Sequence, residues 1–174
     1  MADLTLSLVG ADRPGIVASI TGALVEVDGN VGSCRAAQML GSFAVILAVS
    51  VPDDTSMADI ERHLAPLVED EGLSISVAPC MSGAKDGRRE HCVVSVYGPD
   101  RPGIVHDAAT ALSGIGVNII DLTASLVGDP PIYVLGMEVT MPKGVGIAEV
   151  QSALATGGLR DLEVSVQPSA ERAF

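Results

Sequence analysis

Two stretches of the 174-residue chain read Asp-Arg-Pro-Gly, at positions 12–15 and again at 100–103, each between an alternating apolar run and one of helical period. Each is followed at the same spacing by an asparagine, Asn30 or Asn118. The expected element is a strand-to-helix junction with Pro14 at the first helical position, where a missing N–H costs nothing, and Gly15 at the second. The first amides of a helix have no partner inside it. The helix dipole adds a partial positive charge there, and glycine lets another group approach the backbone closely. Such a junction takes a small anion, for instance a carboxylate. Asp12 and Asp100 stand just outside with a carboxylate for an ammonium group. Asn30 and Asn118 bring both donors and an acceptor. Donors for a carboxylate beside an acceptor for an amine describe an amino-acid site. A plainer account of the same residues stays open: Asp12 capping the helix, Arg13 pairing with a surface acid, and Asn30 tolerating the left-handed turn after Gly29.

The motif belongs to an internal repeat. Residues 8–31 and 96–119 align without a gap, and Gly10, Asp12, Arg13, Pro14, Gly15, Ile16 and Val17 recur as Gly98, Asp100, Arg101, Pro102, Gly103, Ile104 and Val105. Two copies of about 80 residues follow, too few for a solenoid. In the first, Leu4, Leu6 and Leu8 alternate as in a strand over 3–9. Ile16, Ile20, Leu24 and Val27 take helical spacing, and Gly29 suits the exit. Residues 31–39 and 43–51 are β-prone and joined at Gly41-Ser42 as a hairpin. Met57, Ile60, Leu64 and Leu67 return to helical period, with Pro66 expected to kink or shorten that helix. Residues 73–78 alternate again. The second copy repeats the order: strand 92–98, helix 102–115, strands 117–127 and 132–140, helix 146–156, strand 160–167.

The order βαββαβ, twice, makes the chain α+β, with two ferredoxin-like units. Right-handed crossovers place both helices of a unit on one face of a four-stranded antiparallel sheet. The other face is expected to stay uncovered and largely apolar, which favours pairing with another copy and a homo-oligomer. The first domain is expected over 1–80, a linker over 81–90, the second domain over 91–168 and a tail over 169–174.

Composition narrows the function. Ten basic residues against 22 acidic ones give a net charge of −12, and aromatics are 2%. This is not the electrostatic footprint of a nucleic-acid binder, and anionic membrane surfaces repel it. No apolar run approaches the roughly 20 residues that span a bilayer. Asp3 in an alternating start does not read as a secretory signal, so the cytoplasm is the expected compartment. Cys34, Cys80 and Cys92 have no CxxC spacing and are expected to be small buried or half-buried thiols. His63, His91 and His106 are scattered, so neither metal nor cofactor is expected. No nucleophile elbow, phosphate loop or HExxH occurs, and the chain does not read as an enzyme. The copies differ beside the motif. Ala18 and Ser19 are matched by His106 and Asp107, which either read a ligand side chain or are solvated first-turn residues. Residues 1–80 carry 3 basic and 11 acidic residues, net −8, and the remainder 7 and 11, net −4.

The pattern xGxDRPGIVxxhxxxLxxxGxNI (h, hydrophobic), in βαββαβ order, resembles the ACT domain, a regulatory amino-acid-binding module. Two such domains with little else resemble the glycine cleavage system transcriptional repressor family. The resemblance implies strand order 4-1-3-2 and a ligand held between paired domains. It implies contacts from Asp12, Gly15, Ile16 and Asn30, and from Asp100, Gly103, Ile104 and Asn118. The expected function is a sensor of a small amino acid that acts through a protein partner, a transcription regulator or an enzyme, without touching nucleic acid directly. The alternative is a ligand-free module for protein interaction and oligomerisation.

Overall fold

A computed structural model describes residues 1–80 and 90–169. The chain divides into two compact units, the first ending at Ala84 and the second starting at Lys85. The expected linker, apart from Glu90, and all of the expected tail except Ser169 lie outside the described residues.

The first unit runs β1 (Ala2–Ala11), α1 (Ile16–Val25), β2 (Asn30–Met39), β3 (Ser42–Val51), α2 (Met57–Glu69) and β4 (Ser74–Pro79). The second runs β5 (Glu90–Gly98), α3 (Ile104–Gly114), β6 (Asn118–Val127), β7 (Ile132–Met141), α4 (Ile147–Thr156) and β8 (Glu163–Pro168). The sheets are ordered β2-β3-β1-β4 and β6-β7-β5-β8, with the paired strands antiparallel. This is the 4-1-3-2 order read from the other edge.

Side chains alternate across a strand, so Leu4, Leu6 and Leu8 all face the helices. They are buried with Ile16, Ile20 and Leu24 of α1 and Ile60, Leu64 and Leu67 of α2. Val94, Val96, Ile104, Leu112, Val150 and Leu154 build the second core in the same way. At about 25 cal/mol per Å² of apolar area, each fully buried leucine or isoleucine contributes roughly 1.5–3 kcal/mol.

The opposite face corrects an expectation. By register it carries Thr5, Ser7 and Val9 of β1, Ala44, Ile46, Ala48 and Ser50 of β3, and Ser74 and Ser76 of β4. Apart from Ile46 and Val9, which are exposed, these are small or polar residues, so the open face is mixed rather than largely apolar. Period two has spent most of the large aliphatic residues on the core side. The surface left bare is instead the outer strand. β2 is exposed at every position except Val31, and β6 at every position except Ile119, because neither helix pair reaches that far.

Three local expectations also change. The β2–β3 loop is Leu40-Gly41, not Gly41-Ser42, and both residues have positive φ (50° and 80°). That is the two-residue loop whose twist suits a hairpin. Pro66 lies inside α2 without ending it, since the helix continues to Glu69 and the Asp70 N–H donates to the Pro66 carbonyl at 2.9 Å. Cys34 and Cys80 are exposed, and only Cys92 is a buried thiol, which burial pushes up in pKa. All three cysteines are free. At the start of α2, Ser56 and Asp59 form a reciprocal capping box that satisfies two otherwise orphaned amides.

Candidate functional site

The β1–α1 junction is built by two glycines with different tasks. Gly10 has no side chain because Leu73 occupies the space: a Cβ there would fall inside 3.0 Å of Leu73 Cδ2. Gly98 and Leu162 repeat the arrangement. Gly15 is there for its backbone. It is the N-cap of α1 with φ 96°, and Gly103 is the N-cap of α3 with φ 94°. A Cβ on Gly15 would meet nothing within 4 Å. Glycine is therefore demanded by a left-handed conformation, and the space beyond it is open.

This moves Pro14 and Pro102. Each precedes the N-cap and lies outside the helix, which begins at Ile16 or Ile104 rather than at the proline. The turn made by the left-handed glycine takes the place of a proline start. The first intrahelical acceptor is the Gly15 carbonyl, which takes the Ser19 N–H at 2.8 Å, and Gly103 takes the Asp107 N–H at 2.8 Å. The amides of Ile16, Val17 and Ala18 thus have no helical acceptor. No side chain caps either helix, so Asp12 and Asp100 are not capping residues.

Asp12 is exposed, and its backbone N–H donates to the Gly41 carbonyl at 2.8 Å, tying the junction to the β2–β3 hairpin tip. Ile16 and Ile104 are each 2% exposed. Their side chains belong to the cores, which leaves only a backbone amide of each for the junction. Asn30 and Asn118 are exposed at the first positions of β2 and β6, opposite Ser50 and Thr140.

Asp12, Gly15 and Ile16 therefore come together, as do Asp100, Gly103 and Ile104, but the asparagines do not join them within a unit. Asp12 follows Ala11, which pairs with Ser42, whereas Asn30 pairs with Ser50 at the other end of β3. At about 3.3 Å per residue the two ends lie on the order of 25 Å apart. The second unit shows the same separation, with Gly98 opposite Tyr133 and Asn118 opposite Thr140.

The arginines of the motif tie loops together. Arg13 pairs with Glu71, in the turn between α2 and β4. Arg101 donates to Asp107 Oδ2 at 2.9 Å, to the Pro102 carbonyl at 3.1 Å and to the Gly158 carbonyl. A Cβ on Gly158 would collide with the Asp107 carboxylate. Asp107 is thus held inside its unit, and His106 is exposed beside it. A surface acid was the plainer partner expected for Arg13, but neither its identity nor the Gly158 contact was legible in the sequence, since each contact joins segments more than 50 residues apart. The units differ electrostatically as a result: α3 has Asp107 in its first turn, and α1 has no acid there. Among the described residues no group of three or more His, Cys, Asp or Glu side chains could hold a metal ion. Nor is any described helix long and apolar enough to cross a membrane.

A doubled βαββαβ sandwich with an uncapped, glycine-led helix start in each copy makes this a tandem ferredoxin-like protein. The ACT domain family matches residues 2–78 and 90–167, and the chain belongs to that family, carrying the domain twice. The UPF0237 protein of Methanopyrus kandleri is 30% identical over 78 residues, 44% of this chain and 87% of its own length. The UPF0237 protein of Corynebacterium diphtheriae is 32% identical over 73 residues, 41% of this chain and 82% of its own. Among solved structures, a protein of unknown function from Galdieria sulphuraria superposes with a TM-score of 0.82 at 26% identity, covering 97% of this chain and 99% of that one. A protein assigned as a glycine cleavage system transcriptional repressor has the same two-domain fold, with a TM-score of 0.72 at 17% identity and 98% coverage of both chains.

Proposed function

We propose that this protein is a cytoplasmic amino-acid sensor that transmits ligand occupancy to a transcription regulator or metabolic enzyme by protein contact, without catalysis of its own. The observation that carries this reading is the repeated helix start: free amides behind a left-handed glycine, open space in front, and an exposed aspartate beside them. The amides and the helix dipole take the ligand carboxylate. Asp12 or Asp100 takes its ammonium group. Because Asn30 lies at the far end of its own sheet, the asparagine of a bound state comes from another domain, of this chain or of a second one in a homo-oligomer. Binding then favours that assembly, since a ligand shifts an equilibrium only through differential affinity for its two states. Calorimetry against the twenty amino acids, with the wild type and the Asp12→Ala/Asp100→Ala variant, tests the reading. The expected result is saturable heat with a small amino acid that the double variant abolishes while its thermal unfolding stays intact. Retained affinity in that variant refutes the site.

A second reading is a ligand-free assembly module, favoured by β2 and β6, which are bare on both faces. Absence of heat and of thermal shift with all twenty amino acids, together with a stable oligomer, decides for it.

A further inference from the structure

The opposite edge of the first unit carries a groove that the amino-acid site does not use. It lies between α2 and the edge strand β4, has a volume of about 290 Å³, and has a floor of Leu64, Ala65, Val68, Ile75 and Val77. Glu61 and Glu69 also line it, as the first and last of its residues on α2. Positions 61, 64, 65, 68 and 69 recur on one helix face, so the acids bracket an apolar stripe. Val68 is 45% exposed, a large apolar side chain left in water.

Among the described residues the strand edge beside this groove is open, and β4 pairs only with β1. The Cys80 N–H donates to the Asp3 carbonyl at 2.8 Å, which by alternation turns the N–H and C=O groups of Ile75 and Val77 away from β1. Pro79 takes the next outward position, where a missing N–H ends further pairing. Two residues of free edge thus lie against an apolar groove whose α2 stripe begins and ends in an acid.

The acids are placed against local preference. Glu69, Asp70 and Glu71 crowd the C-terminal end of α2, which has no basic residue in its last turn. The dipole there favours cations. Among the described residues, only Glu71 of the three has a counter-ion, Arg13. The second unit has the same groove, about 300 Å³ and lined by Gln151, Ala155, Leu159, Arg160, Leu162 and Val164, without an acid. The acidic bracket is thus specific to the first copy and is not needed by the fold.

We propose that this groove docks an extended segment of a protein partner with two basic residues flanking an apolar one, added as a strand to β4. Glu61 and Glu69 are eight residues apart, about 12 Å along a helix. Side chains at i and i+4 on one face of a strand are about 13 Å apart, so the two basic groups meet both acids while the central apolar side chain fills the groove. Backbone bonds to Ile75 and Val77 supply the strand addition. A second copy of this chain is disfavoured, because a two-fold contact through the groove sets like charges against one another. The proposal stands whether or not the helix starts take an amino acid.

The test is titration of the full ¹⁵N-labelled protein with a blocked peptide reading lysine–threonine–valine–threonine–lysine. Saturable shifts at the amides of Ile75 and Val77 are expected. Glu61→Gln/Glu69→Gln, both at exposed positions, weakens binding by about tenfold, as two surface ion pairs allow. Val68→Arg abolishes it, and a peptide with glutamate for lysine does not bind. No shifts at millimolar peptide overturn the proposal, as do shifts centred on β2 or β8, or affinity unchanged by the double glutamine variant. A dimer in light scattering that Val68→Arg dissociates shows that a second copy covers the groove, and overturns it too.

Discussion

The first glycine of the repeated motif is a packing residue, and a double-mutant cycle with Leu73 tests this. Leu73 is 2% exposed, so its side chain has little room to retreat. A Cβ on Gly10 falls inside 3.0 Å of Leu73 Cδ2, while the Leu73 Cα stays at 3.6 Å. The conflict is thus confined to the end of one side chain, which must withdraw by on the order of 1 Å to reach ordinary contact. Overpacking of this kind costs about 1–3 kcal/mol. Leu73→Ala alone removes a buried leucine and costs about 2–5 kcal/mol. In the double variant the added methyl enters the space the leucine left. The sum of the single costs should therefore exceed the double by about 1–3 kcal/mol, as expected for residues in contact.

Each variant is compared by urea unfolding of the full chain, with hydrogen exchange of the β1 amides reporting the first unit separately. In the second unit the Leu162 Cα lies at 3.5 Å, but Gly98 has φ 156°, so Gly98→Ala there carries a backbone cost as well and its coupling to Leu162→Ala is the measure of packing. Additive costs, or a Gly10→Ala variant as stable as wild type, refute the packing account. Gly10 would then be held by something other than Leu73.

Three further outcomes follow from local structure. Leu40 sits at φ 50° and is 99% exposed. Leu40→Asn should raise stability by about 0.5–1 kcal/mol in urea unfolding, since asparagine tolerates the left-handed region better. Ser56→Ala removes the side chain that accepts from the Asp59 N–H at 3.2 Å and should cost about 1 kcal/mol at neutral pH. The Ser56 side chain is also the main cause that holds the Asp59 carboxyl below its usual 3.8. A lowered carboxylate pKa stabilises fully above the unfolded value and loses that contribution as pH falls through the folded one, so the wild-type advantage should narrow below about pH 4. Arg101→Lys keeps the charge but loses the fork that reaches Asp107, Pro102 and Gly158 together. Faster hydrogen exchange in the β5–α3 loop is the expected readout.

Element order, strand faces and both cores were legible because period two and period 3.6 both recur, in Leu4/Leu6/Leu8 and in Ile16/Ile20/Leu24. The separation of Asn30 from Asp12 was legible in principle. β1 and β2 both run antiparallel to β3, hence parallel to each other, so the chain leaving the end of β1 must return through α1 to the opposite end of the sheet. The role of Pro14 was not legible. A proline opening a helix and a proline preceding a left-handed glycine cap leave the same letters, and only φ at Gly15 separates them. Leu40 carried no turn signal, because its conformation is imposed by the pairing of β2 with β3 and not by its own preference. The clamps of Arg13 on Glu71 and of Arg101 on Gly158 join segments that only the folded sheet brings near.

The two copies keep one skeleton and distribute charge over it differently. In the second, the only first-turn acid of α3 is neutralised inside the unit by Arg101, and α4 ends in Thr156-Gly157-Gly158. In the first, α1 has no first-turn acid to compete with an anion at its start, while α2 ends in three acids that oppose its dipole. The same unit is thus the better receptor for a carboxylate at one helix end and for cations at the other. These ends belong to different helices, and Arg13 reaches across from the start of the first to Glu71 in the turn after the second.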